Sequence, residues 1–168
     1  LAIEALNPNA FIDGNINRLK SGQVLRLPDP VQSTALPQSA AIAEVAAAVA
    51  ALRSGGTGTG GVVAVVVDAS RPLAGFAGAV APALRAGATL VVKPSPKAPA
   101  AIFALCELAS RSGLPPGVLN LLQGDTAAIE GLCAAGIDRL VYRGNAALGV
   151  AIGAIADAAG TPYEMGQG

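Results

Sequence analysis

The side chains that could do chemistry in this sequence lie where short apolar runs end. The polar loops concerned begin at Asp68, Lys93, Gln123, Arg143 and Glu164. The chain contains no histidine, which excludes imidazole general bases, histidine-activated nucleophiles and imidazole metal ligands. Any chemistry must therefore use carboxylates, lysines or the two thiols, and we predict no metal site.

The two thiols, Cys106 and Cys133, lie in segments with the apolar spacing of helix faces. They form no Cys-x-x-Cys pair, and no candidate metal ligands lie beside them in the sequence. We interpret both as small buried hydrophobic residues rather than as nucleophiles.

Strand-like and helix-like patterns alternate over the second part of the chain. Residues 62–67, 88–92, 118–122 and 138–142 are short and rich in Val, Leu and Ile, as parallel strands buried on both faces should be. Residues 162–164 are a candidate fifth strand. The helical stripes between the strands are Phe76, Val80 and Leu84; Ile102, Leu105, Leu108 and Ala109; and Leu148, Ile152, Ile155 and Ala159.

Glycine comes just before each later strand, at positions 87, 113, 136 and 160, where it can end a helix in a left-handed conformation. Such alternation with short loops predicts an α/β fold. We expect a doubly wound, Rossmann-like parallel sheet with a small amino-terminal arm of helix and strand.

In such a sheet the carboxyl ends of the strands meet at one edge, where loops and helix amino termini offer backbone N–H groups to ligands. The loops at this edge are polar in an otherwise apolar chain, and two of them combine glycine with a helix start. This suits a phosphate or a dinucleotide. An alternative stays open for single residues: Asp125 and Asn145 as helix caps only, and Arg71 as a solvated side chain.

Composition narrows the classes of function. The 168 residues are 52% hydrophobic and 13% charged, with eleven basic and eleven acidic side chains. So much apolar surface excludes a disordered chain, and a zero net charge without a basic run argues against nucleic acid as a partner. No apolar run reaches the roughly eighteen residues that a membrane helix needs, so we predict no membrane span.

The chain before residue 62 has a different character. Residues 41–53 are alanine-rich with Ile42, Val45, Val49 and Leu52 at helical spacing, and residues 54–61 are only Ser, Gly and Thr. We divide the chain into an arm at residues 1–31, an Ala-rich helix and Gly-rich linker at 32–61, and a dinucleotide-binding domain at 62–168.

Four blocks of this last domain resemble the NAD(P)-dependent aldehyde dehydrogenase family. They are residues 80–95, ending Val-Val-Lys-Pro-Ser; residues 112–120, Ser-Gly-Leu-Pro-Pro-Gly-Val-Leu-Asn; Gly124-Asp125; and Glu164-Met165-Gly166. They run in family order within residues 62–168. The resemblance implies a coenzyme-binding domain, NAD or NADP as cofactor, and a small-molecule aldehyde that is oxidised to an acid.

The resemblance also implies roles for individual residues toward the coenzyme. Lys93 is similar to the lysine that contacts the adenosine ribose, and Gly124 to the glycine that lets the adenine approach the backbone. Gly144 and Asn145 fall where the family has a Gly-Ser pair facing the pyrophosphate. The other predicted coenzyme-binding residues are Val66, Val67, Ser95, Leu148, where the family has an aliphatic residue, and Met165, whose backbone would meet the nicotinamide side.

Two residues resemble the family's catalytic positions. Glu164 is similar to the glutamate that activates water for thioester hydrolysis. Ser70 stands where an asparagine amide normally stabilises the oxyanion, and the loss of such a donor typically costs roughly a hundred- to a thousand-fold in rate. Pro96 and Arg143 also depart from the family, replacing an acidic ribose ligand and a small residue beside the pyrophosphate.

The family's nucleophilic cysteine lies beyond Glu164, past the last residue, Gly168. We therefore expect this chain by itself to be inactive. Two explanations stay open: a piece of a longer enzyme, or a degenerate version that keeps the fold and has lost the reaction.

The amino-terminal residues point elsewhere. Residues 1–28 resemble part of a LysM-like module, in the version found in FimV-type pilus-assembly and cell-pole proteins. Asn15 suits the cap of a short helix, Gly22 its end, and residues 24–27 an edge strand stopped by Pro28. A coincidental arm packed on the α/β domain is the alternative.

Two functions therefore remain. The first is an NAD(P)-dependent, cytoplasmic oxidoreductase of the aldehyde dehydrogenase type that is incomplete in this chain and could form a homo-oligomer. The second is a non-catalytic, envelope-associated scaffold that binds peptidoglycan or a partner and keeps a retired Rossmann-like domain.

Overall fold

A computed structural model describes residues 8–12, 15–19, 39–40, 42–43, 46 and 60–166. The chain divides into two compact units, Leu1–Ala40 and Ala41–Gly168. In chain order the strands and α-helices are β1 Phe11–Ile12, β2 Asn15–Leu19, β3 Val62–Val67, α1 Pro72–Arg85, β4 Thr89–Pro94, α2 Pro99–Arg111, β5 Leu119–Leu121, α3 Thr126–Ala134, β6 Arg139–Arg143, α4 Ala146–Ala158 and β7 Tyr163–Gly166.

The first unit contains a 3-10 turn at Pro8–Ala10 followed by β1 and β2, which pair antiparallel. The prediction of a helix beginning at Asn15 is wrong, because this residue begins β2. The sequence between Ile12 and Asn15 is Asp-Gly, a dipeptide that strongly favours a two-residue hairpin loop. That signal outweighs the capping preference of Asn15. Gly22 and residues 24–27 lie outside the described residues.

The helix predicted over residues 41–53 falls largely outside the described residues. Those that are described, Ile42, Ala43 and Ala46, are helical, as are residues 39 and 40. Of the predicted linker at 54–61, only Gly60 and Gly61 are described. The domain boundaries at 31 and 61 stay predictions.

The second unit is built on a five-stranded sheet in the order β5-β4-β3-β6-β7. Every neighbouring pair is parallel, so the predicted Rossmann-like α/β fold is confirmed. The first strand in the chain, β3, lies at the centre. Later strands are added first on one side of it and then on the other, and the order reverses between β3 and β6.

The core has two layers, one on each face of the sheet, because side chains alternate along every strand. Val63, Val65 and Val67 of β3 pack with α1 and with Ile102 of α2. Val62 and Val66 of the same strand pack with residues of α3 and α4 on the opposite face. The all-apolar sequence of β3 is therefore buried on both sides, as expected for a central parallel strand.

Glycines end the helices where the sequence predicted, with positive φ at Gly87, Gly113, Gly136 and Gly160. Three predicted stripe residues are exposed rather than buried: Leu108 is 60% exposed on α2, Leu148 is 48% exposed on α4, and Ala159 is exposed just after α4. Within the described ranges no helix is both long enough and apolar enough to cross a bilayer.

Candidate functional site

Parallel pairing brings all five predicted polar loops to one edge of the sheet. The loops follow the carboxyl ends of β3, β4, β5, β6 and β7. The reversal of strand order between β3 and β6 opens the crevice in which doubly wound proteins bind their ligands. The candidate site is therefore this carboxyl edge, with β4 and β5 on one side of the crevice and β6 and β7 on the other.

Lys93 lies near the end of β4, paired in register with Val66. Its side chain is unusually buried for a lysine, at 3% exposure. Nζ donates to the carbonyl oxygen of Pro94 at 3.1 Å. Burial lowers the pKa of the ammonium, and the Asp125 carboxylate partly offsets this effect.

The turn after β4 and the loop after β5 flank Lys93. Ser95 donates its backbone N–H to the Val67 carbonyl at 2.8 Å, which ties this turn to the end of β3. Gly124 has a φ of +157°, and a Cβ there would lie 2.7 Å from the Cβ of Ala128. Packing against α3 therefore requires glycine at this position whether or not a ligand is bound.

Val66 and Val67, predicted to contact the coenzyme, are 4% and 1% exposed and lie in the two core layers. Their side chains position the loop that follows β3. Contact with a ligand is open to them only through the backbone at the strand end.

Asp68 follows β3 and accepts hydrogen bonds from three segments. Its Oδ1 accepts from the backbone N–H of Ser70 at 2.8 Å and from the Ser70 hydroxyl at 2.6 Å. Its Oδ2 accepts from the Asn145 N–H at 2.6 Å and from the Tyr142 hydroxyl at 3.4 Å. Asp68 is only 8% exposed, so these donors replace most of its water.

The ionisation of Asp68 follows from these contacts. Burial by itself would raise its pKa, but the hydrogen bonds from Ser70 and Asn145 outweigh this and hold the pKa below its usual value. Burial, and then the Asp68 charge, raise the pKa of Tyr142 to about 12. At neutral pH a carboxylate therefore faces a neutral phenol.

The Ser70 hydroxyl, predicted to stabilise an oxyanion, donates its single proton to Asp68. A hydroxyl has one proton to donate. It cannot serve an oxyanion while this bond is kept.

Gly144 and Asn145 directly precede α4, and Asn145 is its amino-terminal cap. The Asn145 Oδ1 accepts from the N–H groups of Ala147 at 2.8 Å and Leu148 at 3.4 Å. Gly144 has a φ of +154°, and a Cβ there would collide with the Asp68 carboxylate and lie 2.6 Å from the Tyr142 hydroxyl. Asp125 caps α3 in the same way, accepting from Ala127. Asp125 and Asn145 are therefore both helix caps, and the binding role of Asn145 stays a prediction.

Glu164 lies on β7 opposite Val141 of β6. Its Oε1 accepts from the Arg143 guanidinium at 2.5 Å, and its Oε2 lies 3.9 Å from Arg139. Arg143 is the more buried partner, with a side chain 17% exposed against 46% for Glu164. Gly166 makes room for it, because a Cβ there would lie 2.6 Å from Arg143 Nη1.

The remaining predicted residues, Leu148 and Met165, are each 48% exposed. A Cβ on Gly149 would collide with the Met165 sulfur, so the missing side chain of Gly149 gives Met165 its place against α4. Both side chains lie on the α4 and β7 side of the crevice.

Sequence analysis assigned no specific role to three residues, Asp68, Asn120 and Tyr142, whose side chains form hydrogen bonds between elements of the structure. Tyr142 is fully buried and donates to Asp68 at the end of β3, and the side-chain amide of Asn120 donates to the carbonyls of Leu90 and Gly117 at 3.0 and 2.7 Å. The sequence feature that could have identified them is a polar residue within or just after an apolar strand. Such a residue is costly to bury unless it has hydrogen-bond partners.

A model described as the aldehyde dehydrogenase family matches residues 57–168. Mitochondrial succinate-semialdehyde dehydrogenase of Arabidopsis thaliana is 37% identical over 91 residues, which are 53% of this chain and 17% of that protein.

Solved structures agree with this match. Betaine aldehyde dehydrogenase of Staphylococcus aureus in complex with NAD+ is 28% identical with a TM-score of 0.58, covering 64% of this chain and 22% of that one. An NADP dependent enzyme of E. coli is 28% identical with a TM-score of 0.57, covering 64% and 23%. This chain spans less than a quarter of each of these proteins. The sequence match over residues 57–168, together with the parallel sheet and the loops at its carboxyl edge, shows that the chain belongs to the aldehyde dehydrogenase family.

Proposed function

We propose that this chain contributes the coenzyme-binding domain of an enzyme that oxidises an aldehyde to an acid with NAD or NADP. The observation that carries the proposal is the buried ammonium of Lys93 at the carboxyl edge of the sheet. Family membership favours this function over the envelope-associated scaffold that the amino-terminal residues suggested.

A buried lysine is costly unless its charge and its donors are satisfied. An ammonium has three N–H donors, and among the described residues the Pro94 carbonyl takes one. The hydroxyls of an adenosine ribose, or a 2′-phosphate, would accept from the others. Ser95 and Gly124 border the same side of the crevice, so the residues on the β4 and β5 side fit the adenosine end of either coenzyme.

The residues on the β6 and β7 side of the crevice fit the coenzyme less well, because their hydrogen-bonding groups already have partners. Gly144 and Asn145 precede α4 and are the residues that we expect to face the pyrophosphate, yet the N–H of Asn145 is already donated to Asp68. A bound nicotinamide coenzyme would supply the hydride acceptor for the aldehyde carbon. Glu164 and Ser70 stay proposed as the water-activating base and the oxyanion donor, and each must leave its present partner first.

The test is a titration of the purified chain with NADH and, separately, NADPH, followed by nicotinamide fluorescence. Lys93→Met keeps the bulk of the side chain and removes its charge. Because hydrogen bonds from a charged group contribute about 1.5–3 kcal/mol, the variant should bind roughly tenfold to a hundredfold more weakly. AMP, titrated by calorimetry, should lose affinity in parallel, since Lys93 faces the adenosine end.

Lys97→Met is the matched control, because Lys97 carries the same side chain four residues later at an exposed position. It should bind NADH as the unaltered chain does. Equal affinities of the Lys93 and Lys97 variants for AMP and NADH would contradict the proposed role of Lys93, and failure of AMP to bind the unaltered chain would contradict the proposed function.

The aldehyde substrate, a cytoplasmic location and a homo-oligomeric state are further parts of this proposal that rest on family membership. The resemblance of residues 1–28 to a LysM-like module also stays a prediction. Sedimentation of the full chain with purified peptidoglycan would test this resemblance directly. A chain that stays in the supernatant would contradict both the LysM-like function and the envelope-associated location.

A further inference from the structure

Asp68 accepts hydrogen bonds from several segments that meet at the carboxyl edge. Four of the donors to its two oxygens are Ser70 N–H, Ser70 Oγ, Asn145 N–H and the Tyr142 hydroxyl, at 2.6 to 3.4 Å. Two of them come from the loop that follows β3, and the others from β6 and the start of α4. The group sits at the reversal of strand order, where a doubly wound sheet places its ligand.

The position of this carboxylate at α4 is the informative feature. The first N–H groups of a helix have no partner within the helix and form the usual site for a phosphate. Here Asp68 Oδ2 accepts from Asn145, and Asn145 Oδ1 accepts from Ala147 and Leu148. Three donors at the start of α4 are therefore already used by the chain itself, and the first of them is held by an anion.

The arrangement is built into the local backbone. Gly144 has positive φ, and any side chain there would overlap Asp68. The backbone N–H of Asp68 also donates to the Arg143 carbonyl at 3.1 Å, which fixes the carboxylate beside the end of β6. Because hydrogen bonds hold both the backbone and the carboxylate of Asp68, the carboxylate is pre-organised for its contact with α4.

We propose that Asp68 is a built-in anion that occupies the phosphate-binding end of α4 and sets the selectivity of this site against a pyrophosphate. A ligand that carries negative charge into the gap between β3 and β6 must displace or lie beside a buried carboxylate. Charge repulsion of this kind is a means of rejecting a ligand without changing the rest of its site. The adenosine side, with Lys93, is untouched by it.

The inference rests on the proposed function and predicts a particular pattern of affinities. Adenosine should bind independently of residue 68. Pyrophosphate, and NADH through its pyrophosphate, should bind more tightly once the charge of Asp68 is removed. The same charge change elsewhere on α4 should leave both ligands unaffected.

Asp68→Asn tests this, because it removes the charge while keeping the size and one acceptor oxygen. Asp157→Asn is the matched control, at an exposed position near the carboxyl end of α4. Binding of inorganic pyrophosphate is followed by the amide NMR signals of Gly144 and Asn145, and binding of NADH by fluorescence. We expect Asp68→Asn to bind both at least tenfold more tightly than the unaltered chain, and Asp157→Asn to stay within twofold of it.

A folded Asp68→Asn chain whose pyrophosphate affinity is unchanged or lower overturns the inference. If this variant does not fold, Asp68→Ser gives the same test, because its hydroxyl can still accept from Asn145 without a charge. Tighter pyrophosphate binding with no response to NADH or AMP in any variant would support the role of Asp68 and overturn the proposed coenzyme function, so the two failures are distinct.

Discussion

At the scale of single residues, the two predicted catalytic side chains each hydrogen-bond to a charged neighbour. The pair of Glu164 with Arg143 is half exposed on the Glu164 side, and such pairs contribute about 1 kcal/mol or less. Ser70 donates to a largely buried carboxylate, and hydrogen bonds to charged groups contribute about 1.5–3 kcal/mol. Glu164 can therefore leave its partner at small cost, whereas Ser70 is held.

The surroundings of the two thiols decide their reactivity. Cys133 is 3% exposed in the core and Cys106 is half-buried on α2. Burial raises the pKa of Cys106 to about 11, and it also raises that of Cys133 although a hydrogen bond with Thr161 opposes the shift. These surroundings agree with the interpretation of both as small hydrophobic residues.

We predict that both thiols react slowly with iodoacetamide in the folded chain at neutral pH. The thiolate is the reactive form, and a pKa near 11 in place of 9.0 leaves roughly a hundredfold less of it for Cys106. The rate should rise steadily with pH up to that value. The chain unfolded in urea is the control, and rapid alkylation of the folded chain at neutral pH would contradict the prediction.

At the scale of elements, α4 approaches the sheet closely because it carries glycine where it crosses β6 and β7. Gly149 lies against Tyr142, and Gly153 lies against the ring of Tyr163. The Tyr163 hydroxyl donates to the Gly149 carbonyl at 2.6 Å. This bond fixes the ring, so the ring cannot move aside for a larger residue.

A pair of glycine-to-alanine substitutions separates the effect of this close packing on stability from the effect of helix propensity. Alanine normally stabilises an exposed helix interior by about 0.5–1 kcal/mol relative to glycine, and Gly78 of α1 has open space around its Cβ position. Gly78→Ala should raise the urea midpoint. Gly153→Ala should lower the midpoint and reduce the free energy of unfolding by about 1–3 kcal/mol, because its Cβ would lie 2.9 Å from Tyr163 Cε1.

The free energy of unfolding by urea checks both variants together. Opposite signs are the expected result. Stabilisation by both substitutions would show that α4 can shift away from Tyr163, and the account of its close approach would then be wrong.

At the scale of the whole molecule, the charge of the chain is nearly constant over a wide range of pH. It has eleven basic and eleven acidic side chains and no histidine. Ordinary carboxyls titrate near pH 4 and ordinary lysines above pH 10. Between these limits ordinary carboxyls, lysines and arginines keep their charge. Burial lowers the pKa of Lys93, which is one of the eleven basic side chains, and raises the pKa values of both cysteines.

We therefore predict a broad solubility minimum rather than a sharp one. A net charge near zero promotes association, and here it should persist from about pH 5.5 to about pH 8. Solubility should recover in acid, because protonated carboxyls leave the chain positive. Static light scattering across a pH series measures this, and a narrow minimum would contradict the argument.

The sequence by itself determined the parallel α/β core and the positions of its polar loops. Uninterrupted Val, Leu and Ile runs have one stable place, buried between two helix layers, and glycines at helix ends set the length of each connection. Polar residues that close such runs must then gather at the carboxyl edge. For this reason the sequence predicted that Lys93, Gly124, Asn145 and Glu164 lie at this edge, while their roles toward a coenzyme stay predictions.

Only the tertiary structure decided how those loops partner one another. Asp68 and Asn145 are 77 residues apart, and Arg143 and Glu164 come from different strands. Such contacts depend on strand order and register, which local patterns do not encode, because any parallel order would bury the same apolar runs. The strand order β5-β4-β3-β6-β7 places the Asp68 carboxylate, rather than open N–H groups, at the start of α4.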